Sequence, residues 1–198
     1  MTKDALIIID VQKDFVDGSL AVPFAREIIA PVERLAAMFD TIVLTQDWHP
    51  MDHSSFAENH DGKAPFDTVT MPYGAQTLWP VHCVQDQVGS EFDLAPWILR
   101  KAQMIQRKGF RRDLDSYSAF LENDHATPTG LAGWLRETGV TRVTLCGLAT
   151  DYCVGFSAID AADLGFDVRV AMEACRGIAR ETIDQRSAEM VAKGVSLL

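Results

Sequence analysis

Five short apolar runs, at 5–9, 41–45, 103–106, 142–148 and 167–171, restrict what this chain can fold into more than any other feature of its sequence. Each is bounded by turn-forming residues and is short enough to be a strand. Leu6-Ile7-Ile8-Ile9 and Val143-Thr144-Leu145-Cys146 are apolar almost without interruption, whereas a strand with one wet face would alternate. Such runs suit a parallel sheet covered on both faces. Helical patterns lie between them at 25–39, 130–138, 152–165 and 181–193. The alternation predicts an α/β fold: a doubly wound, mostly parallel sheet of about five to six strands with helices on both faces.

The 198 residues are 47% hydrophobic and 23% charged, and no repeat or low-complexity linker divides them, so 1–198 is read as a single domain. Pro31 falls inside the first helical pattern and would kink that helix unless it starts later. Gly139 and Gly165 follow helical patterns and are placed as C-caps leading into the next strand. No apolar run reaches the length of a membrane span, and Asp10 interrupts the apolar start where a signal peptide would continue, so a cytoplasmic location is expected. Eighteen Lys and Arg against 28 Asp and Glu give a formal net charge of −10, which repels a phosphate backbone or an anionic membrane. Neither nucleic acid nor membrane is an expected partner. Cys83, Cys146, Cys153 and Cys175 contain no Cys-x-x-Cys pair and read as reduced thiols.

Residues 47–92 and 110–129 break the alternation and are rich in Asp, His, Gly, Pro, Ser and Trp. Irregular connections of that length in a compact domain usually build a functional site, and the other place to look is the carboxyl ends of parallel strands. Asp10, Lys108 and Cys153 stand at or just after such ends. Cys153 also falls at the start of the 152–165 helical pattern, where the helix N-terminus favours thiolate. In a functional reading Cys153 is a nucleophile, Asp10 takes its proton, and Lys108 is a cation that orients Asp10 and tunes both charges. Position alone is also consistent with a small packed cysteine, a turn-capping aspartate and a solvated lysine.

Asp47-Trp48-His49-Pro50 and the later Trp79-Pro80-Val81-His82 supply a carboxylate and two imidazoles, donors suited to zinc, iron or manganese. Asp47 and His49, two apart in extended chain, can face one side, and His82 can close a three-ligand site with positions left for water or substrate. The alternative is a chance Asp-x-His with His49-Pro50 as a simple turn. His53 is a weaker additional donor.

Taken in order, several motifs resemble the nicotinamidase, or pyrazinamidase, family of the isochorismatase-like cysteine hydrolases, nearly end to end. They are Ile9-Asp10-Val11-Gln12-Lys13-Asp14-Phe15, Asp17-Gly18-Ser19-Leu20, Asp47-Trp48-His49-Pro50, His53-Ser54-Ser55-Phe56, Trp79-Pro80-Val81-His82-Cys83, Lys108-Gly109 and Gly147-Leu148-Ala149-Thr150-Asp151-Tyr152-Cys153. The resemblance implies an Asp10, Lys108, Cys153 triad and one divalent metal ion (Zn, Fe or Mn) on Asp47, His49 and His82, with Ser55 or His53 as a fourth neighbour. It also implies a pyridine pocket between Phe15 and Trp79, with Tyr117 beside them, and a cis peptide before Ala149 that turns the Ala149 and Cys153 N–H groups toward the substrate oxygen. The activity implied is hydrolysis of nicotinamide, and also pyrazinamide, through a thioester, in NAD salvage. A homo-oligomer is left open. Rival readings are a metal-independent amidohydrolase of the N-carbamoyl type, a catalytically silent module that binds a small molecule, and a zinc-stabilised structural domain.

Overall fold

The computed structural model describes residues 3–198; Met1 and Thr2, where the segment inspected for a signal peptide begins, lie outside the described residues. In chain order the elements are β1 (Asp4–Ile9), α1 (Lys13–Val16), α2 (Ile29–Met38), β2 (Ile42–Asp47), β3 (Thr68–Met71), β4 (Gly74–Thr77), α3 (Pro96–Lys101), β5 (Met104–Lys108), α4 (Leu131–Glu137), β6 (Arg142–Leu148), α5 (Gly155–Asp163), β7 (Asp167–Arg176), α6 (Arg180–Ala192) and β8 (Ser196–Leu197). Six strands make one sheet in the order β5-β2-β1-β6-β7-β8, and each neighbouring pair is parallel. The five apolar runs are five of these strands.

Continuous hydrophobicity has the expected cause. Ala5 through Ile9 and all of β2 are buried, because helices cover both faces of the central strands. Right-handed crossovers put α2 and α3, which lead leftward from β1 to β2 to β5, on one face, and α4, α5 and α6, which lead rightward, on the other. Leu6, Ile7, Ile8 and Ile9 each lose nearly all their accessible surface, a gain of roughly 1.5–3 kcal/mol per side chain. Strands are added leftward from β1 and rightward from β6, so the crevice at a doubly wound sheet's switch point opens beyond the carboxyl ends of these two parallel strands.

Element boundaries differ from the sequence reading where local turns intervene. The helix expected over 25–39 is α2, which starts at Ile29 after a 3-10 turn at Ala25–Ile28. Pro31 therefore lies in the first helical turn, where no intrahelical N–H bond is lost and no kink is required. The 152–165 pattern begins as a π turn at Thr150–Val154 and becomes α-helix only at Gly155. Gly139 and Gly165 do terminate α4 and α5, with φ of 78° and 88°, and the residue after each donates back into its helix (Val140 N–H to Leu135 O, Phe166 N–H to Ala161 O). β8 and the β3–β4 hairpin were not expected: two residues are too few to show a period, and the hairpin contains no apolar run. No helix among the described residues is long and apolar enough to cross a membrane.

Candidate active site

Four ionisable or nucleophilic side chains converge at the strand ends. Asp10 follows β1, Asp47 ends β2, Lys108 ends β5, and Cys153 lies in the π turn after β6. β2 extends two residues past the apolar run, so Asp47 belongs to the strand and its orientation is set by the sheet. Asp10 takes φ 47°, a left-handed conformation that aspartate tolerates better than bulkier residues. Thr45 secures it: the Asp10 N–H donates to Thr45 Oγ1 (3.0 Å), and that hydroxyl donates to Asp10 Oδ1 (2.5 Å).

Lys108 is the centre of the arrangement. Its Nζ lies 2.8 Å from Asp10 Oδ2, 3.4 Å from Cys153 Sγ and 3.1 Å from Ser116 O, and it also pairs with Asp47 Oδ1. The ammonium is fully buried. Burial alone would favour its neutral form, but Asp10 and Asp47 outweigh that and hold its pKa well above the ordinary lysine value. The two carboxylates that share it respond differently. Burial raises the pKa of Asp10, with Lys108 offsetting part of the rise and the charge of Asp47 adding to it. Burial also pushes Asp47 upward, but Lys108, His49 and His82 reverse this and leave it below the usual carboxylate range. Asp47 thus keeps its charge, and Asp10 is the carboxylate suited to receive a proton.

The helical turn that holds Cys153 starts at Thr150 and runs directly into α5, so Cys153 stands at a helical N-terminus as expected. Burial acts in the opposite direction and drives the thiol pKa well above its ordinary value; Lys108 opposes the rise, while Asp10 and Asp47 add to it. A protonated thiol needs a base, and Asp10 stands beside it. The Leu148–Ala149 peptide is cis, as the family resemblance implied, and the Ala149 N–H has no acceptor among the described residues.

The donor set lies on the other side of Lys108. Donor atoms of Asp47, His49 and His82 all fall within 4.8 Å of one another, and all three residues are buried. His49 Nε2 and His82 Nε2 approach Asp47 Oδ2 at 3.6 and 3.9 Å. Each imidazole is oriented through its other nitrogen: His49 Nδ1 lies 2.7 Å from Gly109 O and His82 Nδ1 lies 2.8 Å from Pro80 O. A carbonyl only accepts, so both Nδ1 atoms carry a proton, and both Nε2 atoms face Asp47. A Cβ at position 109 would fall 2.3 Å from His49 Cε1, which is why glycine stands there. Two imidazole Nε2 atoms and a carboxylate, buried and aimed at one point, fit a divalent ion. His53 and Ser55 lie close by, the His53 ring 4.4 Å from that of His49. The Ser55 N–H donates to His53 Nδ1 (3.2 Å), and Ser55 Oγ lies 2.7 Å from the same nitrogen.

A pocket of about 390 Å³ of empty space, including its mouth, connects these groups. Phe15 and Trp79 both line it, and so do Tyr117, Ala149, Cys153 and the donors Asp47, His49 and His82. Phe15 packs edge-on against His82 (5.4 Å), while Trp79 meets Tyr117 and Tyr152 at 6.2 and 4.9 Å in T-shaped pairs. Of the other expected side chains, Asp10 and Lys108 are not in the pocket wall but adjoin Cys153 and Asp47 behind it, and His53 and Ser55 lie beside His49. Sequence reasoning missed Tyr152, Asp115, Leu20, Val22 and Ile178 in the pocket wall. It also missed Gln12, whose Nε2–H donates to Asp47 O (2.9 Å) and whose Oε1 accepts the Asp47 N–H (2.8 Å). Tyr152 had a signal, its place beside Cys153. Gln12 and Leu20 lie inside motifs that carry the family resemblance, whereas Asp115, Val22 and Ile178 had no signal in local sequence.

Comparison with known proteins agrees with this geometry. The Isochorismatase domain pattern matches residues 4–198. A nicotinamidase from Acinetobacter baylyi is 51% identical over 194 residues, covering 96% of this chain and 90% of that protein. Among solved structures, a nicotinamidase/pyrazinamidase from Acinetobacter baumanii is 46% identical with a TM-score of 0.95, covering 100% of this chain and 96% of that one. A pyrazinamidase from Pyrococcus horikoshii, solved in complex with zinc, is 36% identical with a TM-score of 0.81 over 99% of this chain and 98% of that one. This chain belongs to the Isochorismatase domain family.

Proposed function

We propose that the protein is a nicotinamidase, hydrolysing nicotinamide to nicotinate and ammonia, with pyrazinamide as a further substrate, and that residues 1–198 act as one hydrolase domain. The observation that carries this reading is the position of Lys108 Nζ, which joins Asp10 and Cys153 to Asp47 of the donor set beside one aromatic pocket. The relatives named above support the substrate.

Asp10 takes the proton of the Cys153 thiol as the sulfur attacks the carboxamide carbon. Lys108 keeps its charge throughout and holds Asp10 against the thiol. The N–H groups of Ala149 and Cys153 receive the oxyanion, a role in which a single donor commonly contributes about 3–4 kcal/mol to the barrier reduction. Asp10 returns its proton to the leaving nitrogen as the C–N bond breaks, which releases ammonia and leaves a thioester on Cys153. Water then attacks the thioester, Asp10 takes its proton, and nicotinate leaves as the proton passes back to the thiol. Phe15, Trp79 and Tyr117 hold the ring. Asp47, His49 and His82, with Ser55 or His53 nearby, would hold one zinc, iron or manganese ion, which supplies an electrophilic site for the ring nitrogen.

Purified protein incubated with nicotinamide should release ammonia, and Cys153→Ala should fold normally yet lose essentially all turnover. Benzamide, with a C–H in place of the ring nitrogen, should react far more slowly. Substantial activity in Cys153→Ala would remove the covalent route. Equal rates for the two amides would remove the role of the ring nitrogen.

A further inference from the structure

The β3–β4 hairpin is largely exposed, yet Gln76 on β4 is fully buried. Its amide is used at every polar atom. Nε2 reaches Thr77 O (2.7 Å), Asp115 Oδ2 (2.9 Å) and Tyr117 Oη (3.0 Å), so two protons are shared among three oxygens. Oε1 accepts from Asn123 Nδ2 (3.2 Å) and from the Tyr73 hydroxyl (3.2 Å). Asn123 Oδ1 in turn accepts the Tyr117 N–H (2.9 Å). Tyr117 is thus held at its main chain and at its phenol by two carboxamides that bond to each other. Asp115 and Tyr117 both line the pocket that contains Cys153, and the Tyr117 ring stands 5.5 Å from that of Tyr152.

We propose that Gln76 is a positioning residue for substrate, through which the hairpin fixes Tyr117 and Asp115 in the pocket wall. The inference rests on the nicotinamidase reading and adds to it a residue that touches neither substrate nor the reacting groups. Only a neutral carboxamide suits the place. Leucine would remove the donor that joins Asp115 Oδ2 to the Tyr117 phenol, and glutamate would set a second carboxylate against Asp115. Because Gln76 has no contact with Asp10, Lys108 or Cys153, its loss should weaken binding and spare the chemical steps.

Gln76→Leu should raise KM for nicotinamide roughly tenfold, the size expected for one or two well-made hydrogen bonds, with kcat changed by less than about threefold. The Kd of nicotinate, followed by tryptophan fluorescence through Trp79, should rise in parallel. Tyr117→Phe keeps the ring and removes the anchored oxygen, so its KM should rise to a similar extent. Because both changes break one link, the double variant should be no worse than the weaker-binding single variant. An unchanged KM in folded Gln76→Leu, a fall in kcat at constant KM, or additive effects in the double variant would overturn the proposal. If Gln76→Leu does not fold, unchanged KM and Kd in Tyr117→Phe overturn it equally. Wild-type protein that neither hydrolyses nor binds nicotinamide would sink the functional reading and this proposal together, whereas active wild type with an unaffected Gln76→Leu sinks only the latter.

Discussion

Asp10, Asp47 and Lys108 stand at the ends of β1, β2 and β5, where the parallel ladder fixes the backbone and apolar packing covers both faces of β1 and β2. His49, His82, Trp79 and Tyr117 stand on connections with little regular structure, and there buried polar groups do the fixing: Gln12 clasps the Asp47 main chain, Gly109 O and Pro80 O orient the two imidazoles, and the Asp14 carboxylate accepts the N–H of Cys83 next to His82 (2.7 Å). The difference teaches what each region contributes. A sheet positions by bulk, tolerates small changes of shape and loses stability when damaged. A polar lattice positions by direction, and one missing donor moves a ligand while much of the fold survives.

Lys108 belongs to both regions, so removing it should have the largest effect. Lys108→Met is close in volume but leaves the carboxylates of Asp10 and Asp47 buried without their cation, a change expected to cost about 3–5 kcal/mol of stability. Turnover should fall by more than about a hundredfold, since Asp10 loses its orientation toward the thiol. Urea denaturation and steady-state kinetics measure the two effects separately. A rise in KM alone, with kcat and the urea midpoint unchanged, would mean that Lys108 joins neither region.

The sheet was legible because its signal is local: each apolar run announces a strand, and Asp10, Lys108 and Cys153 were found as reactive residues at the ends of such runs. Asp47, His49 and His82 were read as candidate donors from a carboxylate and two imidazoles in one long irregular connection, a pattern that chance could also produce, and it was the family resemblance that implied them as a set. The supports were not legible. Gln12 meets Asp47 across 35 positions, and Gln76 meets Asp115 and Tyr117 across 39 and 41, so no window of sequence contains both partners. A glutamine in a strand looks the same whether it is solvated or carries a lattice. The upward pull of burial on the Cys153 thiol was not legible for a related reason: the helix terminus is a local feature, while burial is a property of the whole fold.

A smaller effect tests where the boundary between the regions runs. Asp151 lies in the Cys153 turn, two residues before it, but its carboxylate faces away toward α6. It accepts the N–H of Ile178 (3.0 Å), the N–H of Ala179 (3.2 Å) and the hydroxyl of Thr182 (2.6 Å). This is a cap for the start of α6 supplied from a distant turn, so Asp151→Asn should cost about 1–2 kcal/mol. If the turn is held chiefly by β6 and α5, kcat should stay within about threefold of wild type. A tenfold or greater fall in kcat without loss of stability would place the turn in the polar lattice instead.

The smallest effect concerns a cap far from the chemistry, on the connection that carries Tyr117. Asp124 accepts the N–H groups of Ala126 (2.9 Å) and Thr127 (2.8 Å) and the hydroxyl of Thr127 (2.6 Å). The Thr127 hydroxyl, then the two N–H groups, lower its pKa to about 2 from an ordinary 3.8. A carboxylate with a depressed folded-state pKa stabilises the fold fully above its unfolded value and loses that contribution as pH falls through the folded one. The urea midpoints of wild type and Asp124→Ala should therefore differ by a constant small amount from neutral pH down to about 4, and the difference should close between about pH 4 and 2. The KM for nicotinamide at neutral pH should not change, because the anchors of Tyr117 are Gln76 and Asn123 and neither bonds to Asp124. A gap that widens below pH 4 would refute the cap, and a raised KM would extend the polar lattice to the outer edge of this loop.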